Sequence, residues 1–532
     1  MSTSHNPLRF GCRLSRLPIA FVVDRNVTDS SLPTSVLANV ALWAAPIALL
    51  FAAYHNFFSV WWMADDSMLL LSVVRHGVVA HFVRPLIDLE LAPSNLTPWL
   101  YASYGIDFAI GGLNPRIAYV HHLISWVATL AVLTILLRQW LGPKLTAAVL
   151  VWFVGSVPTL AVILFLCTRH YVEGLLFSSL CVLAYIRHLR SGRTLYLVLS
   201  AGCYALAMAA KEVFVPLGPL LVVHYALFPK VTTPHSEFNS AAAAAIARLR
   251  CACMSLWPHV TLAAAYVLYR GYMLGFSRLL SGYDVPKWRT RPAMLLEFPA
   301  TWEWACHWKR WQSIAWLALV ILGLALWLAR GSRAQRWQGI VFGLAITLAI
   351  LAPIYPVLGM LTVYHSNPHY LFIPLLAFFV LAGWASRECM ATLSARFAAG
   401  TSAKSVAIRR NINIAMASIL VLLCITQLTT ARRHGWPWTL EDRIAQYRTE
   451  GEYELYSDDQ SLIIDALGPS WHHFGLQNLR KLVLNRVPGP VACVADDCGT
   501  AIARQQAVAG ICVRFFSGPP RLERVACTMK LR

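Results

Sequence analysis

The 532-residue sequence predicts an all-α polytopic membrane protein with about eleven transmembrane helices and a small soluble C-terminal domain, α/β or β-rich. Three observations predict it. Mean hydropathy is +0.55, and only 13% of residues are charged. Apolar windows of about 20 residues, the length that a spanning helix needs, recur through the first 430 positions. These runs are continuous rather than alternating, which selects helices over barrel strands. The last hundred residues then change character, holding 11 of the 25 acidic residues.

Residues 1–34 carry Arg9, Arg13, Arg16 and Arg25 without an apolar core, so they read as a basic cytoplasmic tail and not as a cleaved signal peptide. Spans are expected near 35–54, 118–137, 145–163, 171–187, 194–210, 213–228, 257–275, 312–330, 337–355, 370–386 and 412–430. The short loops that share the tail's side hold Arg138 and Lys144, Arg187 with Arg190 and Arg193, Arg248 and Arg250, Arg330 with Arg333 and Arg336, and Arg409 with Arg410. This is the positive-inside pattern. It accounts for the net charge of +20 without a nucleic-acid partner. With the tail inside, an odd number of spans puts residues 431–532 on the outer face.

Three regions follow: the tail (1–34), a transmembrane domain (35–430) and an outer domain (431–532). Within the second, the long outer loops are 55–117 and 276–311. In the first loop, "SMLLLSVVRHGVVAHFV" and "LTPWLYASYGIDFAIGGL" read as amphipathic helices along the membrane interface. The second loop carries Trp288, Trp302, Trp304 and Trp308, which suit an interfacial lid or an aromatic belt. "SAAAAAIARLR" (Ser240 to Arg250) is a helix-prone inner loop. In the outer domain "RKLVLNRV", "VACVADD", "GICVRFF" and "RVACTMKL" read as short strands. Its Cys493, Cys498, Cys512 and Cys527 allow three disulfide connectivities in an oxidising compartment.

The acidic residues narrow the function. Of the fourteen before position 431, ten fall on or near the outer face: Asp65, Asp66, Asp88, Glu90, Asp107, Glu173, Glu212, Asp284, Glu297 and Glu303. A charge at a membrane boundary costs a few kcal/mol unless it is paired or wetted. Arg84, Arg169, Lys211 and His369 keep them company. Singly, each has an ordinary structural reading. Asp65–Asp66 can cap a helix, Lys211–Glu212 can be a mutual ion pair, His121–His122 can be packed, and His369–Tyr370 can anchor at the interface. Together they place chemistry on one side of the membrane.

Order and spacing go further. "ADDSMLLL" in the first outer loop is followed by "VRPL", "YGIDFAIGGLNP", "TRHYVEGLLFSSLCVLAY", "ALAMAAKEVFVPLGPLLV" and "NPHYLFIPLLAF". Over roughly residues 35–390 this series resembles the GT-C class of polytopic glycosyltransferases that use lipid-linked sugar donors. It is most similar to relatives of the protein O-mannosyltransferases, including the tetratricopeptide-bearing ones, without their repeats. Where that family has Arg before the Tyr of "RYLYLP", this chain has His369. The resemblance implies a bacterial inner (plasma) membrane enzyme with its C-terminal domain outside. The expected partners are a polyprenyl-phosphate sugar, membrane lipid and a glycan, lipid or protein acceptor.

The residues suit that chemistry. As the sugar departs, the lipid phosphate gains a second negative charge, so fixed cations favour the transition state over the ground state. Arg84, Arg169, Lys211 and His369 are the candidates for that phosphate. Asp65 is the expected general base for the acceptor hydroxyl, as the resemblance suggests for the first member of the pair, and Asp66 orients it or the acceptor. Trp61 and Trp62 would hold this loop at the headgroup level. Glu173, Glu212 and Tyr370 are candidates for the acceptor or donor pocket. No cofactor is certain from the residues; Asp65 and Asp66 leave room for a divalent cation, but two carboxylates without a third certain ligand are weak grounds for one. The rival class is a lipid or glycan transporter (a flippase), which would show internal repeats and charges at the midplane of its spans.

Overall fold

The computed structural model describes residues 36–53, 59–90, 95–228, 241–278, 291–330, 332–362, 367–398, 403–434, 441–463, 466–467, 470–486, 489–493, 512–517 and 520–525. The basic tail, Trp288, Cys498 and Cys527 lie outside them. The helices are α1 (Val36–Ala53), α2 (Asp66–His76), α3 (Ala80–Val83), α4 (Pro98–Gly111), α5 (Pro115–Val154), α6 (Val157–Leu164), α7 (His170–Ser191), α8 (Thr194–Ala210) and α9 (Leu217–Leu227). There follow α10 (Ala241–Ser255), α11 (Trp257–Leu274), α12 (Met294–Cys306), α13 (Arg310–Arg330), α14 (Arg333–Ile354), α15 (Leu358–Thr362), α16 (Phe372–Ala398) and α17 (Ala403–His434).

Each expected span falls on helix, yet five helical stretches among the described residues are long and apolar enough to cross a membrane. A sixth is added if α10 and α11, bent by 82° at their junction, count as one. By length and composition, the eleven expected spans thus comprise five or six long stretches and several shorter ones among the described residues. Hydropathy windows do not register breaks. Gly142 (φ 74, ψ 171) followed by Pro143 kinks α5, and the chain breaks again at Gly155 before α6 starts. That divides the span expected at 145–163. Three other apolar stretches, Val40–Ala53, Thr194–Ala210 and Glu212–Leu227, are shorter than the membrane's apolar thickness requires.

The transmembrane core is aromatic. Trp152 meets Trp316 edge-on at 4.8 Å between centroids, and Phe153 packs on Phe372 at 4.9 Å. Trp302 and Trp308 join this stack through Phe378, and the Trp308 indole donates to Gln427. They are core residues and not a lid. Trp61 and Trp62 are buried too, Trp62 donating to the Leu113 carbonyl, which rules out headgroup anchoring for this pair.

The outer region contributes α18 (Glu441–Tyr456), β1 (Leu462–Ile463), α19 (Ser470–Leu484), β2 (Val491–Ala492), β3 (Cys512–Ser517) and β4 (Pro520–Val525). The sheet order is β2-β1-β3-β4. Leu462 of β1 pairs in parallel with Val491 and with Cys512, and β3 pairs antiparallel with β4. Cys493 and Cys512 are both disulfide-bonded. "RKLVL", expected as strand, forms the last turn of α19, because Leu476 and Leu479 bury the face of a helix there. The consequence for the site is that α19 packs directly on α2. Ser67 Oγ donates to the His472 carbonyl at 2.8 Å, and Arg75 donates to Asn478 Oδ1 at 2.6 Å. This covers α2, whose Leu69, Leu70, Leu71 and Val73 are buried, so it does not lie free along an interface.

Candidate functional site

The acidic pair sits at the start of α2, where the chain makes a turn over Met63–Asp66. Ala64 takes φ 49 in it, a region that non-glycine residues rarely occupy. The turn separates the two carboxylates. Asp65 is exposed and makes no capping bond to the helix it precedes. Asp66 is wholly buried: its Oδ2 accepts the Met63 N–H at 2.8 Å, and its Oδ1 accepts the Tyr104 hydroxyl at 2.8 Å. Burial pushes the Asp66 carboxyl up to about 7, against the opposing pull of those two bonds.

Tyr104, on α4, carries the network inward. The Arg169 guanidinium lies over its ring, 4.4 Å from the centroid. Arg169 is wholly buried and pairs with Asp107. Burial alone would raise the Asp107 carboxyl, but the Arg169 charge and the His121 bond hold it below the usual range. His121 bridges two acids, with Nδ1 2.8 Å from Asp107 Oδ1 and Nε2 3.5 Å from Glu173 Oε1. Ser103 donates to the same Glu173 oxygen at 2.7 Å. His122, expected to be packed, is: it is buried against Trp126 and the Val162 carbonyl.

A second group, of basic side chains, surrounds Tyr171. Lys211 is buried with its Nζ 5.6 Å from the Tyr171 ring centroid, and the His369 ring stands edge-on at 5.8 Å. His170 lies 4.7 Å from Tyr171 on the near side of α7. Lys211 and Glu212 approach to 3.9 Å; Glu212 also meets Arg270 at 3.7 Å and accepts the Leu96 N–H at 3.1 Å. Tyr370 is half-buried beside His369, at 4.7 Å. Arg84 is exposed beyond α3 and is not brought into either group.

One segment joins the two groups. The Cys167 backbone bonds to Asp66, Arg169 pairs with Asp107, and Tyr171 lies between Lys211 and His369. Cys167, Arg169 and Tyr171 of "CTRHY", which leads into α7, thus link the acidic turn to the group around Lys211 and His369. Arg169 Nε and Nη2, both His170 ring nitrogens and Glu173 Oε2 are buried and lack a hydrogen-bond partner. Ser103 and Arg270 carried no sequence signal; Tyr104, Asp107 and His170 stood inside "YGIDFAIGGLNP" and "TRHYVEGLLFSSLCVLAY" with no site role assigned to them.

Among the described residues no three His, Cys, Asp or Glu side chains converge as a metal site.

The Asp66 value gives a signed expectation. A carboxyl raised from 3.8 to about 7 on folding is charged more readily in the unfolded chain, so the native state binds the extra proton between those values. Stability falls as pH rises through that window and is level above it. The melting temperature of Asp66→Asn relative to wild type should therefore climb from pH 5 to pH 8. A difference that stays flat would mean that Asp66 does not titrate there.

No protein-family model and no curated protein matches the chain. Solved structures similar to it include ArnT from Cupriavidus metallidurans bound to undecaprenyl phosphate, at 12% identity and a TM-score of 0.43, covering 90% of this chain and 93% of that one. Another is the oligosaccharyltransferase AglB from Archaeoglobus fulgidus in complex with an inhibitory peptide and a dolichol-phosphate, at 12% identity and TM-score 0.47, covering 90% and 69%. A third is the oligosaccharyltransferase of the same archaeon in complex with zinc and sulfate, at 13% identity and TM-score 0.45, covering 90% and 67%. At such values the likeness carries no function, which has to come from the residues of this chain.

Proposed function

We propose that this protein is a membrane glycosyltransferase that moves a sugar from a polyprenyl-phosphate donor to an acceptor hydroxyl at the outer face of the membrane. The observation that carries the reading is the "CTRHY" segment, which joins an exposed carboxylate turn to a group built around Lys211 and His369. Asp65 takes the acceptor proton as the new bond to the anomeric carbon forms. The bond from that carbon to the phosphate oxygen breaks, and its electron pair leaves on the lipid phosphate. Lys211 and His369 receive the charge that develops there. Phosphate leaves well unprotonated, so no general acid is needed.

The order of motifs from "ADDSMLLL" to "NPHYLFIPLLAF" supports the same reading, as does the docking of residues 441–484 on the first outer loop, which puts both on one face. That face is outer if the basic loops are inside. A cysteine-accessibility map that labels position 478 only from the cytoplasm would reverse it. Purified protein in liposomes, given a polyprenyl-phosphate sugar and a hydroxyl acceptor, should form a glycosidic product. Translocation of the lipid without transfer would instead support a flippase.

Lys211 supplies a sharper prediction. A charge-assisted contact to phosphate is worth about 1.5–3 kcal/mol, so Lys211→Ala should cut kcat/KM by roughly 10- to 100-fold. If Lys211 serves only to pair with Glu212 at 3.9 Å, the folded fraction keeps normal specific activity and only the melting temperature drops.

A further inference from the structure

The outer domain meets the acidic turn through a contact that neither the motif series nor the transfer chemistry requires. His472, on α19, is buried with its Nδ1 3.1 Å from the Ala64 carbonyl and 3.2 Å from Ser67 Oγ. A carbonyl only accepts, so Nδ1 carries the proton and donates to Ala64. Ser67 in turn donates its hydroxyl to the His472 carbonyl at 2.8 Å. Two side chains from two regions of the chain, 405 positions apart, thus exchange bonds across one turn. Burial, with His473 alongside, pushes the His472 ring down to about 3, so the ring is neutral at any working pH.

The approach is close because glycines permit it. A Cβ on Gly475 of α19 would lie 2.5 Å from Ser67 Oγ and 2.9 Å from the Ser67 backbone carbon. A Cβ on Gly451 of α18 would lie 2.2 Å from the Trp61 indole nitrogen. α19 therefore rests against the backbone that follows Asp65, and α18 against the Trp61 side chain that precedes it. The turn's backbone needs support: a non-glycine residue rarely occupies the left-handed region, and Ala64 is the residue whose carbonyl His472 holds.

We infer that His472 is a positioning residue for transfer: by donating to the Ala64 carbonyl it fixes the Met63–Asp66 turn so that Asp65 meets the acceptor. The outer domain is then part of the transfer machinery and not an appendage. This rests on the reading of Asp65 as the base, and the test separates the two. His472→Phe keeps a ring and loses the donor. His472→Asn places an amide N–H where Nδ1 was.

Displacing a base by about an ångström costs up to roughly 100-fold. In liposome transfer assays, His472→Phe should lower kcat by about 10- to 100-fold, with the KM for the polyprenyl-phosphate sugar unchanged, and His472→Asn should restore most of it. Gly475→Leu, which wedges α19 off α2, should act like His472→Phe. In an Asp65→Asn background, His472→Phe should add little, because residues acting as a unit are not additive. If His472→Phe yields too little folded protein, Ser67→Ala, which frees the His472 carbonyl, replaces it in the same comparisons. Wild-type kcat in His472→Phe or its substitute, or a fully additive loss over Asp65→Asn, overturns the positioning role. Normal kcat in Asp65→Asn alone overturns the reading of the base instead.

Discussion

Asp65→Asn is expected to fold and bind donor as the wild type does and to lose transfer by about 10²–10⁴-fold, the range for a positioned general base. The substitution keeps the shape of the side chain and removes its basicity. Asp65 is exposed, so no buried packing is disturbed. Its side chain makes no capping bond to the helix it precedes, so loss of a cap, which costs about 0.5–2 kcal/mol where the bond exists, is not at stake. Asp66→Asn should cost less. Its amide oxygen can still accept from Met63 or Tyr104, and the residue holds the turn without facing the acceptor. Near-normal turnover of Asp65→Asn, with donor binding intact, would return the pair to a structural role.

The sequence was most legible where local rules act alone. Continuous apolar runs located the helices, and Gly and Pro marked several of their ends, as at Gly77 and Pro115. That Asp65, Asp66, Arg169 and Lys211 share one side of the membrane was the expectation drawn from charge and topology. What stayed hidden depends on distant pairing. Asp107 meets Arg169 across 62 positions and Tyr104 meets Asp66 across 38, and nothing in the spacing of either pair announces it. His472 sits in "SWHHF", where no motif distinguishes it from His473. Aromatic content misled for a physical reason: an interface belt and a buried stack use the same residues, and only packing put Trp61, Trp62, Trp302 and Trp308 inside. Likewise "RKLVL" has the apolar content of a short strand, and burial of Leu476 and Leu479 one turn earlier decided for helix.

Arg169 carries the second large expectation, and its burial changes what that is. From sequence it is a phosphate-binding candidate; in the fold its guanidinium pairs with Asp107 and covers Tyr104 with no exposed surface. Removing one partner of a buried ion pair leaves the other charge uncompensated, at a cost of about 3–5 kcal/mol. Arg169→Ala should therefore lower the melting temperature sharply, and Asp107→Ala should do much the same. The double variant Arg169→Met/Asp107→Leu, which removes both charges and refills the volume, should recover much of the loss, since replacing a whole buried pair with apolar groups is often near neutral. His121 then keeps only Glu173, at 3.5 Å. The phosphate role predicts another pattern: Arg169→Ala would fold with an ordinary melting temperature and raise the KM for the lipid-linked donor. Measuring both quantities on the same preparations separates the two, because a side chain that only braces Asp107 leaves the donor KM of the folded fraction where it was.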